Sequence, residues 1–227
     1  MEKIKEVICI IPARAGSKRI KNKNIINFYG KPIIAYPIIA AQKTNIFKKI
    51  FVSTDSKKIA NIVKKYGVTV PSLRAKNISD DLTSTSDVLH NAIINFKTFD
   101  YKYHCCIYPA SPTINYKTII KAFKYFKKNN FDSLISIMEF SHPTTRLIKA
   151  KNKYIYFKNK KYLNQSFQNS SKEFHDAGCF YFFKTDKFLA ERKLFLKKTG
   201  FYTLKKYSHV DINTIDDLIL AKKLYIK

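Results

Sequence analysis

Short apolar runs alternate along this chain with longer stretches in which apolar residues recur at helical spacing. The first run covers residues 7–11, and a loop separates it from an amphipathic stretch at 33–43, where Pro32 suits the start of a helix. This order predicts a strand, a loop and a helix, and it recurs as far as residue 138. The further predicted strands are 50–53, 68–70, 104–108 and 133–138, and the further predicted helices are 56–66, 83–96 and 116–128.

The alternation of strands with helices of ten or more residues indicates the fold class. It favours a mostly parallel sheet with helices on both faces, because parallel strands need long crossover connections. We therefore predict an α/β protein with a Rossmann-like three-layer fold. A length of 227 residues suits one domain over 1–227.

The regular order breaks at about residues 140–174, where the sequence is polar, aromatic and rich in asparagine. We predict an excursion from the main sheet here, with a hairpin at about 148–157. A strand at 179–183 returns to the sheet, and another is expected near 202–204. The chain closes with a helix at 215–225, for which Thr214 and Asp217 form a capping pair.

The formal charge of +27 suggests nucleic acid or an anionic membrane as a partner. However, only five of the 43 basic residues are arginines, and the lysines are spread along the whole chain. We therefore expect no nucleic-acid partner, although general charge-driven binding stays open as a minority alternative. No apolar run is long enough to span a membrane, and residues 1–12 are too charged for a secretion signal, so we expect a cytoplasmic protein without a membrane partner.

The loop after the first predicted strand carries the most informative chemistry. In open α/β sheets ligands bind beyond the carboxyl ends of the strands. Residues 10–24 read IIPARAGSKRIKNKN, which places cations, a hydroxyl and a small residue directly after a buried strand. Neither GxxxxGK[ST] nor GxGxxG is present. Cations at this spacing can neutralise a triphosphate while backbone N–H groups approach it.

The pattern ARxGSKx4KN at 13–24, followed by GKP at 30–32 and VSTD at 52–55, resembles the CMP-sialic acid synthetase family. The resemblance extends over nearly the whole chain, and the segment HDAGCFY at 175–181 is most similar to the subgroup that acts on pseudaminic acid. It implies a three-layer nucleotidyltransferase fold. Further matches are Leu73-Arg74, Ser79-Asp80-Asp81, Ser111-Pro112 and Asp211-Ile212.

The resemblance implies a nucleotide site made of the loop and two later residues. Arg74 and Thr85 fall where the family surrounds the cytosine, whose carbonyl and ring nitrogen accept hydrogen bonds from such donors. A surface salt bridge is the alternative for Arg74. The implied nucleotide-binding residues are Ala13, Arg14, Gly16, Ser17, Lys18, Lys23, Asn24, Arg74 and Thr85.

The resemblance also implies a sugar site, in which Arg146 pairs with the sugar carboxylate. Tyr108 stands where several family members have a glutamine, and Ser166 lies near a position where related enzymes carry an arginine. The sugar preference of this chain is therefore expected to differ from theirs. The implied sugar-binding residues are Tyr108, Arg146, His175, Asp176 and Tyr181.

The chain departs from the family at the implied metal site, where the family reads Asp-Ile-Asp-Thr and this chain has Asp211-Ile212-Asn213-Thr214. Residues two apart in an extended segment face the same way, so Asp211 and Asn213 are the expected ligands of Mg²⁺, or of Mn²⁺. Because one carboxylate has become an amide, we expect weaker metal binding.

The resemblance therefore implies a cytidylyltransferase that joins CMP from CTP to a nine-carbon 2-keto sugar acid, pseudaminic acid, and releases pyrophosphate. The predicted reaction is direct displacement at the α-phosphate, assisted by Arg14, Lys18, Lys23 and Asp211. The general base is left open between Asp211 and a metal-bound hydroxide.

Several alternatives remain at this point. The sugar could be N-acetylneuraminic, legionaminic or 3-deoxy-octulosonic acid, or the chain could be a non-catalytic relative that binds nucleotides or nucleic acid. The excursion at 140–174 resembles the family's dimerisation element, so we expect a homodimer, with a surface flap on a monomer as the alternative.

Overall fold

The computed structural model describes residues 6–142, 144–158, 160 and 172–226, with residue 146 described by its backbone alone. The strands are β1 Val7–Pro12, β2 Asn27–Phe28, β3 Lys31–Pro32, β4 Phe47–Ser53, β5 Tyr103–Ile107, β6 Ser133–Glu139, β7 Ile148–Lys151, β8 Tyr154–Phe157, β9 Phe174–Lys184 and β10 Thr199–Thr203. The helices are α1 Ala35–Thr44, α2 Lys57–Lys64, α3 Thr85–Asn95, α4 Tyr116–Lys128, α5 Thr185–Glu191 and α6 Ile215–Tyr225.

Six strands form the main sheet in the order β10-β6-β9-β5-β1-β4. Strand β1 pairs in parallel with β4 and β5, and β10 pairs in parallel with β6. Strand β9 is antiparallel to both of its neighbours, β5 and β6. The predicted mostly parallel α/β sheet is therefore confirmed. The start of β9 lies at the edge where β1 and β5 end, and this brings residues 174–178 towards the loop after β1.

Helices cover both faces of the sheet, as the apolar run in β1 predicts. Ile11 packs in one cluster with residues of α1 and α4, whereas its neighbour Ile10 packs in another with residues of α3 and α5. Both isoleucines are completely buried. Because neighbouring residues of a strand point to opposite faces, β1 contributes to both layers of the core.

The region at 68–70 is not a strand, which corrects the prediction. Only Thr69 pairs with the sheet, through a single parallel bridge to Phe51. Gly67 has a positive φ of 72° and Pro71 has no backbone N–H, so the segment between them is too short to extend the pairing.

The second half of the chain differs from the prediction in three respects. Strand β9 begins at Phe174 rather than 179, and helix α5, which was not predicted, follows it directly. Strand β10 covers 199–203 instead of 202–204. In contrast, the hairpin predicted at 148–157 is present as β7 and β8, and the capping box of Thr214 and Asp217 opens α6 as expected.

Strand β9 contains a bulge that bears directly on the site. Tyr181 pairs with Ile135 and Asp176 pairs with Ile137, so four residues of β9 lie opposite the single residue Ser136. The hydroxyl of Ser136 accepts a hydrogen bond from the backbone N–H of Phe180 at 3.0 Å. Such a bulge bends a strand and redirects its side chains.

No helix within the described ranges is long and apolar enough to cross a membrane. All four cysteine side chains are buried and free. The single domain over 1–227 stays a prediction. Ser166 and the side chain of Arg146 lie outside the part of the chain that the structure describes.

Candidate active site

The loop after β1 is held in shape by its own neighbours. The backbone N–H of Ala13 donates to the Ser53 carbonyl at 2.8 Å and extends the pairing of β1 with β4. The side chain of Asn24 is buried and donates to the Arg14 carbonyl at 2.8 Å. Asp55 accepts a hydrogen bond from the backbone N–H of Ala15 at 2.8 Å. Asn24 therefore braces the loop here, and Asp55, to which the sequence assigned no role, does the same.

Arg14 and Lys18 converge on one carboxylate, that of Asp81. Lys18 Nζ lies 2.6 Å from Asp81 Oδ2, and the Arg14 guanidinium pairs with the other oxygen of the same carboxylate. Hydrogen bonds from Lys18 and Arg14 hold the pKa of Asp81 below its ordinary value. The two cations are thus gathered at one point beyond the end of β1, where an anion can bind both.

Gly16 and Ser17 form the open part of the loop. The backbone N–H of Ser17 donates to the Ala15 carbonyl at 2.9 Å, and nothing lies within 4 Å of where a Cβ of Gly16 would be. A ligand can therefore approach this backbone closely.

Lys23 and Arg19 connect the loop to the segment before α6. Lys23 Nζ donates to the Ile212 carbonyl at 2.7 Å, and the Arg19 guanidinium donates to Asn213 Oδ1 at 2.7 Å. Burial lowers the pKa of Lys23, while the nearby charge of Asp211 opposes this shift. The sequence reasoning gave Arg19 no role, and only the fold brings it to a residue 194 positions away.

Asp211 and Asn213 face each other, as their spacing predicts. The amide Nδ2 of Asn213 donates to Asp211 Oδ2 at 2.7 Å. Both ends of the Asn213 amide are therefore engaged, one by Arg19 and one by Asp211. The amide of Asn213 thus provides a hydrogen-bond donor to Asp211, whereas a carboxylate at this position would bring two negative charges together.

The donor set at this point suits a magnesium ion only in part. Mg²⁺ is commonly held by one or two carboxylates together with substrate phosphates. Asp211 supplies one carboxylate, whereas the carbonyl oxygen of Asn213 is neutral and already accepts a hydrogen bond from Arg19. Within the described ranges, no group of three His, Cys, Asp or Glu residues could hold a metal ion. An ion at Asp211 therefore needs further oxygens from phosphate or water.

The absence of a side chain at Gly178 leaves room for the carboxylate of Asp211. Gly178 lies in the bulge of β9 with a φ of +56°, and a Cβ at this residue would lie 3.3 Å from Asp211 Cγ. Glycine adopts this left-handed conformation without strain, and it leaves room for the carboxylate. The sequence motif contained this glycine, but only the structure assigns it a reason.

Two pairs of hydrogen-bonded side chains form the predicted sugar region. Tyr181 donates to Asp176 Oδ2 at 2.7 Å, and the hydroxyls of Thr85 and Tyr108 are 2.7 Å apart. The rings of Tyr108 and Tyr181 meet edge to face, with centroids 5.6 Å apart. Burial raises the pKa of Tyr108 to about 12 and also raises that of Tyr181, so both phenols stay protonated. Thr85, predicted for the nucleotide, therefore contacts a residue predicted for the sugar.

The remaining predicted residues lie around this region. The Arg74 side chain is buried and donates to Ser79 Oγ at 3.0 Å, so the alternative of a surface salt bridge is wrong. Burial lowers the pKa of Arg74, and Asp55 opposes this shift. His175 is exposed, and its ring packs against Phe140 with centroids 4.9 Å apart. Within the described part of the chain, His175 makes no hydrogen bond or ion pair with Arg14, Lys18 or Lys23.

The profile of the cytidylyltransferase family matches residues 8–225. The chain belongs to the cytidylyltransferase family. A pseudaminic acid cytidylyltransferase from Campylobacter jejuni subsp. jejuni serotype O:2 is 38% identical over 221 residues, which cover 96% of this chain and 95% of the relative. A CMP-N,N'-diacetyllegionaminic acid synthase from Legionella pneumophila is 38% identical over 140 residues, which cover 60% of this chain and 59% of the relative.

The fold of this cytidylyltransferase is also found in solved structures. A CMP:2-keto-3-deoxy-manno-octonic acid synthetase complexed with CTP superposes with a TM-score of 0.72 and covers 97% of this chain and 98% of that one, at 14% identity. At this identity the likeness shows the fold alone. The predicted family and the predicted nucleotidyltransferase fold are both confirmed.

Proposed function

We propose that this cytidylyltransferase transfers CMP from CTP to the anomeric hydroxyl of a nine-carbon 2-keto sugar acid, pseudaminic acid, and releases pyrophosphate. The observation that carries the proposal is the gathering of Arg14 and Lys18 on one carboxylate beyond β1, with Lys23 between the loop and Asp211. This arrangement suits a triphosphate. The choice of sugar rests on the 38% identity to a pseudaminic acid cytidylyltransferase over almost the full length of both chains.

The proposed reaction is a direct displacement at the α-phosphorus. The anomeric oxygen forms a bond to the α-phosphorus, and the bond to the bridging oxygen of pyrophosphate breaks. Arg14 and Lys18 bind the leaving phosphates and stabilise the charge that develops on them. Lys23 is already oriented by the Ile212 carbonyl, so it loses little freedom when it contacts phosphate. The proton of the attacking hydroxyl leaves to Asp211 or to hydroxide.

The proposed cofactor is Mg²⁺ or Mn²⁺, held by Asp211 with Asn213 beside it. When bound, the ion would neutralise phosphate charge and polarise the α-phosphate. The protein contributes the orientation of the Asp211 carboxylate, through the hydrogen bond from Asn213 and the space left by Gly178.

We propose that the cytosine and the sugar bind beside the loop after β1, next to the residues predicted for them. Arg74 and Thr85 offer donors to the cytosine, while Asp176 accepts hydrogen bonds from sugar hydroxyls. The phenols of Tyr108 and Tyr181 are donors at neutral pH because burial raises their pKa values. We propose further sugar contacts from Arg146 and His175.

The proposed assembly is a homodimer in which a second copy covers the hairpin of β7 and β8. The hairpin exposes large apolar side chains: Tyr154 is 69% exposed and Ile155 is 63% exposed. An interface core rich in aromatic residues suits such a surface. Light scattering after size exclusion tests the assembly, and a monomeric mass at micromolar concentration would contradict it.

The substrate is tested by pyrophosphate release from CTP with a panel of sugar acids. Pseudaminic, N-acetylneuraminic, legionaminic and 3-deoxy-octulosonic acids are supplied separately, each with Mg²⁺ and then with Mn²⁺. We expect the highest kcat/KM with pseudaminic acid. Higher kcat/KM with another sugar would replace pseudaminic acid in the proposal, and silence with every sugar would reject the reaction.

A further inference from the structure

The carboxylate of Asp81 has the contacts that a phosphate of the nucleotide would need. Its two oxygens bind Lys18 and Arg14, which are the two loop cations proposed to hold CTP. All three side chains are partly or largely exposed: 83% for Lys18, 33% for Arg14 and 37% for Asp81. Exposed ion pairs are worth little, so an anion of higher charge can replace this carboxylate at small cost.

The turn that carries Asp81 is ordered by its neighbour. Asp80 Oδ1 accepts hydrogen bonds from the backbone N–H groups of Leu82 at 3.0 Å and Thr83 at 2.7 Å, and from the Thr83 hydroxyl at 2.6 Å. Directly afterwards, Ser84 caps the start of α3. Asp81 is therefore presented to the loop by a defined turn, not by a random contact of a long side chain.

The same turn has little to hold it against the protein core. Leu82 is 93% exposed, and the short helical turn Lys76–Ile78 before it contains no buried residue. Among the described residues, the ion pairs of Asp81 with Arg14 and Lys18 link this turn to the loop after β1. When these contacts are exchanged for phosphate, the turn can move without loss of core packing.

We propose that Asp81 is an internal counter-anion: it holds Arg14 and Lys18 in the free enzyme, gives them up to the phosphates of CTP, and takes them back when pyrophosphate leaves. The inference rests on the proposed function, because CTP is the displacing anion. Asp81 is a positioning residue, since it acts on the substrate only through the two cations. It weakens phosphate binding and thereby favours release of the product.

Binding of inorganic pyrophosphate and of CTP by isothermal titration calorimetry tests this, without need of any sugar. Asp81→Asn is expected to bind both ligands about three- to tenfold more tightly than wild type, because the competing charge is gone. The matched control is Asp100→Asn, which makes the same charge change just before β5, at the opposite edge of the sheet from the loop. The control should shift neither affinity by more than about twofold.

A double variant separates competition from a general change of charge. With Lys18→Ala in the background, Asp81→Asn should gain clearly less affinity, since one of the two cations that Asp81 occupies is missing. Unchanged or weaker binding of pyrophosphate by Asp81→Asn would overturn the inference, because it would mean that Asp81 supports the phosphate site instead of competing with it. If Asp81→Asn binds pyrophosphate more tightly but the wild-type enzyme shows no turnover, the proposed reaction is rejected while the role of Asp81 is supported.

A measurement on the unaltered protein covers the case in which the variant does not fold. Carboxyl NMR with and without saturating pyrophosphate reports whether the pKa of Asp81 stays low. Its two cationic partners lower this pKa in the free protein. The pKa should rise towards the ordinary value when phosphate takes those partners, whereas a pKa that stays low in the complex would refute the exchange.

Discussion

Asn213→Asp would place a second carboxylate beside that of Asp211. In this structure the Asn213 amide donates to Asp211 Oδ2 at 2.7 Å and accepts from Arg19 at 2.7 Å. The variant keeps the partner Arg19 but replaces the donor facing Asp211 with a second negative charge. Without a divalent cation, the pair should therefore become repulsive.

The size of the effect follows from the distance. Two like charges about 4 Å apart repel by about 1 kcal/mol in water and about 4 kcal/mol at an effective dielectric constant of 20. The pair is partly exposed, and the new ion pair with Arg19 returns up to about 1 kcal/mol. A net loss of about 1–2 kcal/mol of unfolding free energy is expected in EDTA. For a chain of this size, the melting temperature should fall by about 2–4 °C per kcal/mol.

A divalent cation should reverse this loss. The two facing carboxylates of Asn213→Asp offer Mn²⁺ one more negative charge than wild type does. We therefore expect the variant to bind Mn²⁺ roughly tenfold more tightly, which corresponds to about 1.4 kcal/mol of binding free energy. The assay is thermal melting in EDTA and in Mn²⁺, together with Mn²⁺ titration followed by electron paramagnetic resonance. The matched control is Asn61→Asp, the same change on the exposed face of α2. Equal melting of Asn213→Asp and wild type in EDTA, with equal Mn²⁺ affinity, would refute the reasoning.

Two further predictions concern the bulge and a buried histidine. Gly178→Ala should lose about 1–2 kcal/mol of unfolding free energy, because a residue with a Cβ is strained at a φ of +56°. It should lose CTP turnover more steeply than stability, because the added Cβ crowds Asp211. Full CTP turnover by this variant would contradict the prediction. Burial lowers the pKa of His104 to about 3, so the unfolded chain takes up a proton first as pH falls. His104 should therefore cost about 2 kcal/mol of unfolding free energy at pH 5 relative to neutral pH, measured by urea unfolding, and His104→Asn should remove this share of the pH dependence. The share of buried His209, whose pKa burial lowers to about 4, should persist in the variant. An unchanged pH dependence in His104→Asn would contradict the prediction.

Several strands and helices were predictable because their signals are local. The apolar run of β1, the helical spacing in α1 and α4, and the caps of α2 and α6 all lie within a few residues of each other. Strand β9 was not predictable to the same extent. Its bulge and its antiparallel place between β5 and β6 depend on partners about 40 to 80 residues away, and residues 174–178 carry no strand pattern of their own.

The candidate site shows the same division. The resemblance named Arg14, Lys18 and Asn213, and one of its matching segments contained Asp81. The contacts of Asp81 with the two cations, and of Arg19 with Asn213, came only from the fold. Arg14 and Asp81 are 67 positions apart in the sequence. A separation of that size does not predict whether two side chains touch in the folded protein. A motif identifies residues that chemistry requires, but the groups that orient them are set by packing between distant segments.

The most direct test of the central claim is formation of the CMP-sugar itself, followed by phosphorus NMR in a mixture of CTP, pseudaminic acid and Mg²⁺. Wild type and Lys124→Ala, which removes an exposed lysine of α4, should form CMP-pseudaminic acid and pyrophosphate in equal amounts. Lys18→Ala should be roughly 100-fold slower, because it lacks a cation that stabilises the leaving phosphates. Undiminished product formation by Lys18→Ala, or no CMP-sugar with wild type, would contradict the account.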